Sequence, residues 1–394
     1  MIPDNFKQRY NRLVTEMMDH VENGTTDQAA DVMHIPYTAY TSEELWKTEM
    51  NTVFRKLPVL VALTHELPND GDYKSMNFLD VPLLLTRQKD GGVKALLNTC
   101  THRGMTLTPV GCGNKRMFTC PYHAWSYTND GSLRGVADPQ KFGDIDKCSR
   151  NLVQFPVYER GGLIFAVLTP GTDYDFESFL GGMMADVELK HFQDWSYMGN
   201  RSIKGANWKI AFDGYLEGYH FAAAHPETIH PRSFSNIMAF DCEGPHMFIG
   251  YPQRSILKLK DADQSELYAH ENDGYDLIRT FFPNVSIFVA PEFTSISQLI
   301  PGPTVRENTT VIHFLHPDQP KDDQDIESRE QIVNWLAEVV EVEDYGVGLE
   351  VQRGLVGGHQ PGIVFGRNER GNQYFHRWLQ YYANQDMSAP KPVL

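Results

Sequence analysis

The sequence predicts an α+β protein, on three observations. Helix-period segments open the chain and recur near its end, short β-branched and aromatic runs separated by Asn/Asp/Gly turns fill residues 59 to 168, and mixed helix and strand patterns follow Pro170-Gly171. At 394 residues and 41% hydrophobic content, the chain is long enough for two or three domains with their own cores. It divides into a helical segment at 1–57 that packs on the last domain, a small antiparallel β domain at 58–170, and a larger domain at 171–394.

The first helix is expected over residues 4 to 22, where Phe6, Tyr10, Leu13, Met17 and Val21 repeat at helical spacing before Gly24. A capping-box pattern at Thr41-Ser42-Glu43-Glu44 opens a second helix that runs through Trp46, Met50 and Phe54 and stops near Pro58. Strands are then expected at Val81 to Thr86, Lys94 to Leu97, Arg116 to Thr119 and Leu163 to Leu168. Asn69-Asp70-Gly71, Asp90-Gly91-Gly92 and Asn129-Asp130-Gly131 supply the turns. Further on, the patterns predict a helix around 206 to 222, strands at 284 to 300 and 309 to 315, and a long helix from about 326 to 355.

A formal net charge of −16 repels a phosphate backbone, and no Lys/Arg run interrupts it, so nucleic acid is not expected as a partner. The first residues lack a basic region followed by an apolar stretch, and no run of about 18 apolar residues occurs, so neither a leader nor a membrane span is expected. The expected location is cytoplasmic. Cys100, Cys112, Cys120, Cys148 and Cys242 are odd in number and scattered, poor material for a disulfide framework.

Two of those cysteines have a better use. Cys100-Thr101-His102-Arg103-Gly104 and Cys120-Pro121-Tyr122-His123-Ala124-Trp125 each pair one Cys with one His. Thiolates suit iron-sulfur iron or zinc, and two His replacing two Cys on one iron of a [2Fe–2S] centre is the Rieske arrangement. A structural Cys₂His₂ zinc site uses the same residue types, though the Cys-x-His spacing differs from zinc's usual Cys-x₂₋₄-Cys and His-x₃₋₅-His pairs.

These words resemble the Rieske loops of bacterial ring-hydroxylating oxygenases, close to C-x-H-R-G and C-P-Y-H-x-W. The likeness extends through Glu66-Leu67-Pro68, Asp90-Gly91-Gly92 and Asp130-Gly131-Ser132-Leu133. Met105 and Tyr122 stand where Rieske proteins of respiratory complexes carry two further cysteines, which favours the oxygenase and ferredoxin branch. Ala124 stands where the family often has Gly.

A second constellation follows in Gly205-Ala206-Asn207-Trp208-Lys209, Asp213-Gly214-Tyr215-Leu216-Glu217 and His220 to His225-Pro226. Two His five apart lie about 140° apart on a regular helix, so both reach one ion only if the helix distorts or ends between them. Pro226 is consistent with an ending there. Asn-Trp-Lys followed by a carboxylate, then Glu-x-x-His-x₄-His-Pro, resembles the mononuclear iron motif of the same oxygenases.

Oxygen activation at ferrous iron uses two His and one carboxylate on one face of the ion. In the predicted C-terminal helix, Val333, Val340, Val347 and Val351 form an apolar stripe, and Asp344 falls on it. A carboxylate facing a core is costly unless paired or metal-bound. Its surroundings also resemble the family's third-ligand segment, so Asp344 is assigned, with Glu343 and Glu341 as substitutes. Glu217, one helical turn before His220, is placed to orient that ring. The resemblance gives it a larger role, as the carboxylate connecting the iron to the Rieske His of a neighbouring subunit. A solvated helix glutamate is the plain alternative. Asp213 matches the acidic position of the motif, whereas Gly214 stands where many dioxygenases have Asn, a departure from the naphthalene-type enzymes.

The resemblance implies a Rieske β domain beside a helix-grip (START-like) catalytic domain whose curved antiparallel sheet wraps a helix. It implies a [2Fe–2S] cluster, a mononuclear Fe(II), and electrons from NAD(P)H through a ferredoxin or flavin reductase. The expected activity is hydroxylation of an organic, aromatic or apolar substrate by a homotrimer acting as a monooxygenase. The large subunit of a cis-dihydroxylating dioxygenase with a separate β subunit is the alternative. Outside that family, a zinc-stabilised binder of apolar ligands is the remote alternative, and the 2-His-carboxylate set argues against a pure electron carrier, which would need only the first motif. Phe212, Phe221, Phe288 and Ile300 are equally candidates for a pocket or for core.

Overall fold

The computed structural model describes residues 3–359, 361–385 and 388–394. The chain forms two compact units, one of residues 54–179 and one of residues up to 53 together with 180–394.

The 54–179 unit is antiparallel β. Its larger sheet runs in the order Gln154–Phe155, Val93–Leu97, Val81–Arg87, Asp72–Phe78 and Gly111–Asn114. A three-stranded sheet joins Val157–Arg160, Leu163–Ala166 and Val59–Leu63, and a second joins Met117–Thr119, Ser126–Thr128 and Leu133–Gly135. The turn signals at 90–92 and 129–131 close hairpins, and that at 69–71 leads into Asp72–Phe78. Leu84, Leu96, Phe118, Trp125, Tyr127 and Leu133 pack with Cys100 and Cys120 in one buried cluster, so the two thiols lie in the core.

The other unit is built on a seven-stranded antiparallel sheet. Its order is Ser196–Gly205, Asn308–His316, Thr294–Pro301, Val285–Val289, Tyr275–Phe281, His246–Pro252 and Ala239–Glu243. The helix Asp4–Asn23 buries Phe6, Tyr10, Leu13, Val14, Met17 and Met18 against the last two strands. Gly24, left-handed at φ 60°, ends it by donating to the His20 carbonyl. Ser42 caps the next helix, Glu43–Glu49, accepting from the Leu45 amide at 3.2 Å. The strand region expected at 284 to 300 is two strands, Val285–Val289 and Thr294–Pro301, paired by their hairpin. Helices Phe176–Lys190 and Arg370–Asn384 were not anticipated.

The helix expected through Trp46, Met50 and Phe54 turns π-helical at Met50–Phe54, and two further expected helices are interrupted in the site region. In place of one helix over 206 to 222 there are two short ones, Trp208–Asp213 and Phe221–Ala224, separated by turns. In place of one helix over 326 to 355, Asp323–Val339 and Gly346–Val356 flank a π-helical segment, Val340–Tyr345. Wider π turns rotate everything beyond them relative to an α-helix, and such segments concentrate at functional sites. The apolar stripe therefore does not stay in the core: Val333 is fully buried, but Val347 and Val351 are 52% and 38% exposed.

Among the described residues no helix is long and apolar enough to cross a membrane.

Candidate metal centres

The first constellation sits on two loops of matching backbone. The Cys100 amide donates to the Met105 carbonyl at 2.8 Å and the Gly104 amide to the Cys100 carbonyl at 2.9 Å. In the second loop Cys120 donates to Trp125 at 2.8 Å and Ala124 to Cys120 at 2.9 Å. Both loops turn through a left-handed residue at the same place, Gly104 at φ 80° and Ala124 at φ 56°. A side chain there is strained, which explains why a glycine suits that position.

These loops present buried Cys100 and Cys120 and bring the His102 and His123 ring centroids within 4.8 Å. The Nδ1 atoms of both rings are buried without a hydrogen-bond partner. Buried polar atoms are normally satisfied, so two orphaned imidazole nitrogens beside two buried thiols fit a bound metal group. Trp125 stacks on His102 at 4.9 Å. Tyr127 lies with its hydroxyl 3.3 Å from the Cys100 sulfur and accepts from the Thr101 amide at 3.0 Å. Burial and that contact push the Tyr127 phenol up to about 12. Met105 and Tyr122, where respiratory Rieske proteins carry cysteines, are exposed.

The second constellation rests on a buried polar base laid down by Asn207-Trp208-Lys209. Asn207 caps the Trp208–Asp213 helix through the Lys209 amide at 2.8 Å, and its Nδ2 ties down the Tyr40 and Val305 carbonyls. Trp208 and Lys209 both bind Glu49, which is 2% exposed and forms an ion pair with the Lys209 ammonium. Breaking such a pair leaves an uncompensated buried charge. These residues thus hold the helix that leads to His220.

The helix break the two-His spacing required is present. His220 opens the single turn Phe221–Ala224, and His225 ends it at φ −121°, ψ 47°. Their rings come within 5.1 Å of each other, and the ligand atoms of His220, His225 and Asp344 lie within 4.8 Å of one another. His225 Nε2 is 3.0 Å from Asp344 Oδ1, and His220 Nε2 is 3.6 Å from the same oxygen. Two imidazoles and one carboxylate converging at this spacing suit a divalent transition metal with open positions.

Each imidazole is fixed from behind by a glutamate. Glu217 binds His220 Nδ1 and also accepts the Tyr219 and His220 amides, from a turn and not from the helical face expected for it. Glu343 Oε2 is 2.5 Å from His225 Nδ1 and accepts the Thr228 hydroxyl at 2.6 Å. A hydrogen bond from Nδ1 to a carboxylate sets the tautomer in which Nε2 faces the ion. Burial would lower the His225 pKa, but Asp344 and Glu343 outweigh it and raise it. Glu341 is exposed.

Asp213 is not one of the three converging groups. Its carboxylate accepts the Tyr40 hydroxyl at 2.8 Å and sits 2.9 Å from His376 Nε2.

The His220 and Asp344 side chains form part of a wall between two cavities. One, of about 220 Å³, is also lined by Asp213, Glu369, Val347 and Val351, which accounts for the exposure of those valines. The other, of about 260 Å³, reaches His225 and the sheet, where Phe288, Ser286, Ser295, Ser297 and Ile312 face it. Register pairs Ser286 with Ser297 and Phe288 with Ser295 across neighbouring strands, so these side chains share one face. Of the four apolar candidates, Phe221 and Phe288 line this cavity. Phe212 is buried core and Ile300 belongs to neither lining. Arg232, Asp276 and the three serines were missed. The serines carried a signal: Ser295 and Ser297 stand two apart around Ile296, and Ser286 interrupts an otherwise apolar strand.

A family model for the Rieske [2Fe-2S] domain matches residues 58–156, and one for the catalytic domain of ring hydroxylating alpha subunits matches 191–385. The chain is 35% identical to the large subunit of anthranilate 1,2-dioxygenase from Acinetobacter baylyi, over 72% of this chain and 58% of that relative. It is 27% identical to the oxygenase subunit of carnitine monooxygenase from Escherichia coli, over 88% and 92% of the two. A solved quaternary ammonium Rieske monooxygenase with L-carnitine bound has a TM-score of 0.75 at 23% identity, covering 89% of this chain and 95% of that one.

Proposed function

We propose, for a chain that belongs to the Rieske-type ring-hydroxylating oxygenases as their catalytic alpha subunit, that two sets of its residues hold the family's metals. Cys100, His102, Cys120 and His123 hold a [2Fe–2S] cluster, and His220, His225 and Asp344 hold a mononuclear Fe(II). The observation that carries this reading is the convergence of His220, His225 and Asp344, with each ring nitrogen facing away held by its own glutamate. On this reading the functional domains run 58–170 for the cluster and 171–394 for the iron, with 1–57 packing on the latter.

When bound, the iron supplies oxygen activation and the cluster supplies electrons one at a time. The chain's residues do the rest. Glu217 and Glu343 hold the two rings and their tautomers. Phe221, Phe288, Phe293 and Ile312 make a cavity wall that keeps water from the reacting carbon. Glu217 has the further role of connecting the iron site to a Rieske His of the neighbouring subunit in a homotrimer. Asp213, held by Tyr40 and His376, lines the cavity that Glu217 also lines and sets the charge beside it.

The reaction is hydroxylation of an organic substrate by a cytoplasmic terminal oxygenase. Electrons come from NAD(P)H through a ferredoxin or flavin reductase. Gly214 and the end-to-end match with a monooxygenase subunit support monooxygenation. NADH-coupled O₂ uptake across aromatic acids, hydrocarbons and quaternary amines, with ¹⁸O₂ labelling of the product, tests this. One labelled oxygen in the product is expected. Two would assign the chain to the dihydroxylating class with a β subunit, and a fully metal-loaded enzyme that consumes no O₂ with any of them contradicts the proposal.

A further inference from the structure

The cavity that reaches the sheet is lined mostly by apolar and hydroxyl side chains, with few charges. Phe221, Phe288, Phe293, Ile278, Ile312 and Trp335 supply the apolar surface. Apart from the metal-site groups, its charged lining is Arg232 and Asp276. Asp276 is 7% exposed and well supplied: one of its oxygens takes Arg232 Nη2 at 2.8 Å and Gln253 Nε2 at 3.0 Å. Burial pushes its carboxyl up, and Arg232 works against that.

Arg232 is in the opposite condition. Its side chain is 47% exposed, and its contact with Asp276 is the one side-chain hydrogen bond it makes among the described residues. A guanidinium carries five donors in a planar fork matched to a carboxylate, and Asp276 takes one of them, so the others are available to a ligand in the cavity that Arg232 lines. Its position is also fixed relative to the metal ligands. It follows His225 on a tight turn in which the His230 amide donates to the His225 carbonyl at 3.0 Å and the Arg232 amide to the Ile229 carbonyl at 3.1 Å. Thr228, on the same turn, is tied to Glu343.

Resting on the oxygenase reading above, we propose that Arg232 anchors the carboxylate of the substrate, so that the enzyme acts on monocarboxylates with an apolar body. The apolar part lies along Phe288 and Ile312, and the carbon to be hydroxylated faces His220, His225 and Asp344. Arg232 sets specificity and takes no part in the chemistry. A substrate carrying only a quaternary ammonium would meet the guanidinium and be disfavoured.

The test is equilibrium binding to the oxidised holoenzyme without reductant, by calorimetry, using benzoate and hexanoate, their neutral isosteres benzamide and hexanamide, and choline. At least one acid should bind tighter than its amide by about tenfold or more, as expected for hydrogen bonds to a charged group. In the paired variant Arg232→Gln with Asp276→Asn, which leaves no uncompensated buried charge, the acid and its amide should bind alike. Iron content and the visible spectrum should not change. Acids and amides binding alike to the unaltered protein, choline binding where neither acid does, or no binding of either acid overturns the assignment without any variant. An unchanged preference for the acid in the paired variant also overturns it. Absence of iron or of the cluster spectrum would instead count against the oxygenase reading, and is scored separately.

Discussion

Asp344 and Glu343, neighbours in sequence, take opposite nitrogens of one imidazole: Asp344 Oδ1 lies 3.0 Å from His225 Nε2 and Glu343 Oε2 lies 2.5 Å from His225 Nδ1. Adjacent side chains of an α-helix point about 100° apart. The π-helical segment Val340–Tyr345 shapes the backbone that brings both carboxylates to the same ring. One carboxylate is left beside the Nε2 atoms of both His220 and His225, and the other holds the ring.

The two substitutions should therefore differ. Asp344→Ala should abolish mononuclear iron binding and product formation and leave the cluster spectrum unchanged. Glu343→Gln keeps an acceptor for Nδ1 and Thr228, so iron should still bind, weaker by about 10- to 100-fold. Iron titration of the two variants, with the visible spectrum as the control, separates the roles. Normal turnover in Asp344→Ala would move the third ligand to Glu343 or Glu341.

Glu217→Gln tests electron delivery apart from ligation. The amide keeps the shape and an acceptor oxygen for His220 Nδ1 but removes the charge. Both metal sites should stay loaded while turnover falls steeply. A pre-reduced variant should oxidise its cluster slowly in a single turnover with substrate and O₂ present. Oxidation at the unaltered rate would leave Glu217 as a ring-holding residue alone.

The matched cluster loops predict an asymmetry between two alanine/glycine exchanges. Gly104→Ala forces a side chain into a left-handed turn and should cost about 1 kcal/mol. Ala124→Gly removes that strain and should be neutral or stabilising by a few tenths of a kcal/mol, roughly the strain less the added freedom of glycine. Thermal melts followed at the cluster absorption measure both, and equal destabilisation would contradict the correspondence of the two loops.

How much of this was legible in the sequence depended on how far apart the partners lie. Cys100 with His102, and His220 with His225, are local words whose residue types and spacing carry the chemistry. Even the break between the two histidines followed from helix geometry, and Pro226 marked it. The π segment had no such mark, because its identity depends on how the helix settles on the sheet. Read as one α-helix, the stripe from Val333 to Val351 seemed to be core throughout. Arg232 was invisible because its meaning depends on Asp276, 44 residues away, and on a cavity assembled from five strands.

A pH dependence follows from the ion-pair cluster of Asp186, Arg279, Glu271 and Lys190. Burial alone would raise the Glu271 pKa, but Arg279 and Lys190 outweigh it and hold it at about 2, against an ordinary 4.5. A carboxyl whose folded pKa is depressed contributes stability that is present above 4.5 and lost as pH falls from 4.5 towards 2. Glu271→Gln should therefore lower stability at pH 7 by about 1–3 kcal/mol and flatten the acid slope within that window. Arg279→Leu, which leaves buried Asp186 without its cation, should cost about 3–5 kcal/mol. Urea midpoints across pH measure both, and an unaltered acid slope in Glu271→Gln would exclude this group as its source.

On the proposed reading one chain carries both a Rieske cluster and a mononuclear iron. Iron and zinc quantification of the purified, reconstituted protein, with its visible and electron paramagnetic resonance spectra, tests this directly. Brown protein with about three irons per chain is expected. Loss of the cluster signal in His102→Ala or His123→Ala is also expected, as is a fall to about two irons with the cluster signal intact in His225→Ala. Stoichiometric zinc with no visible absorption would contradict it.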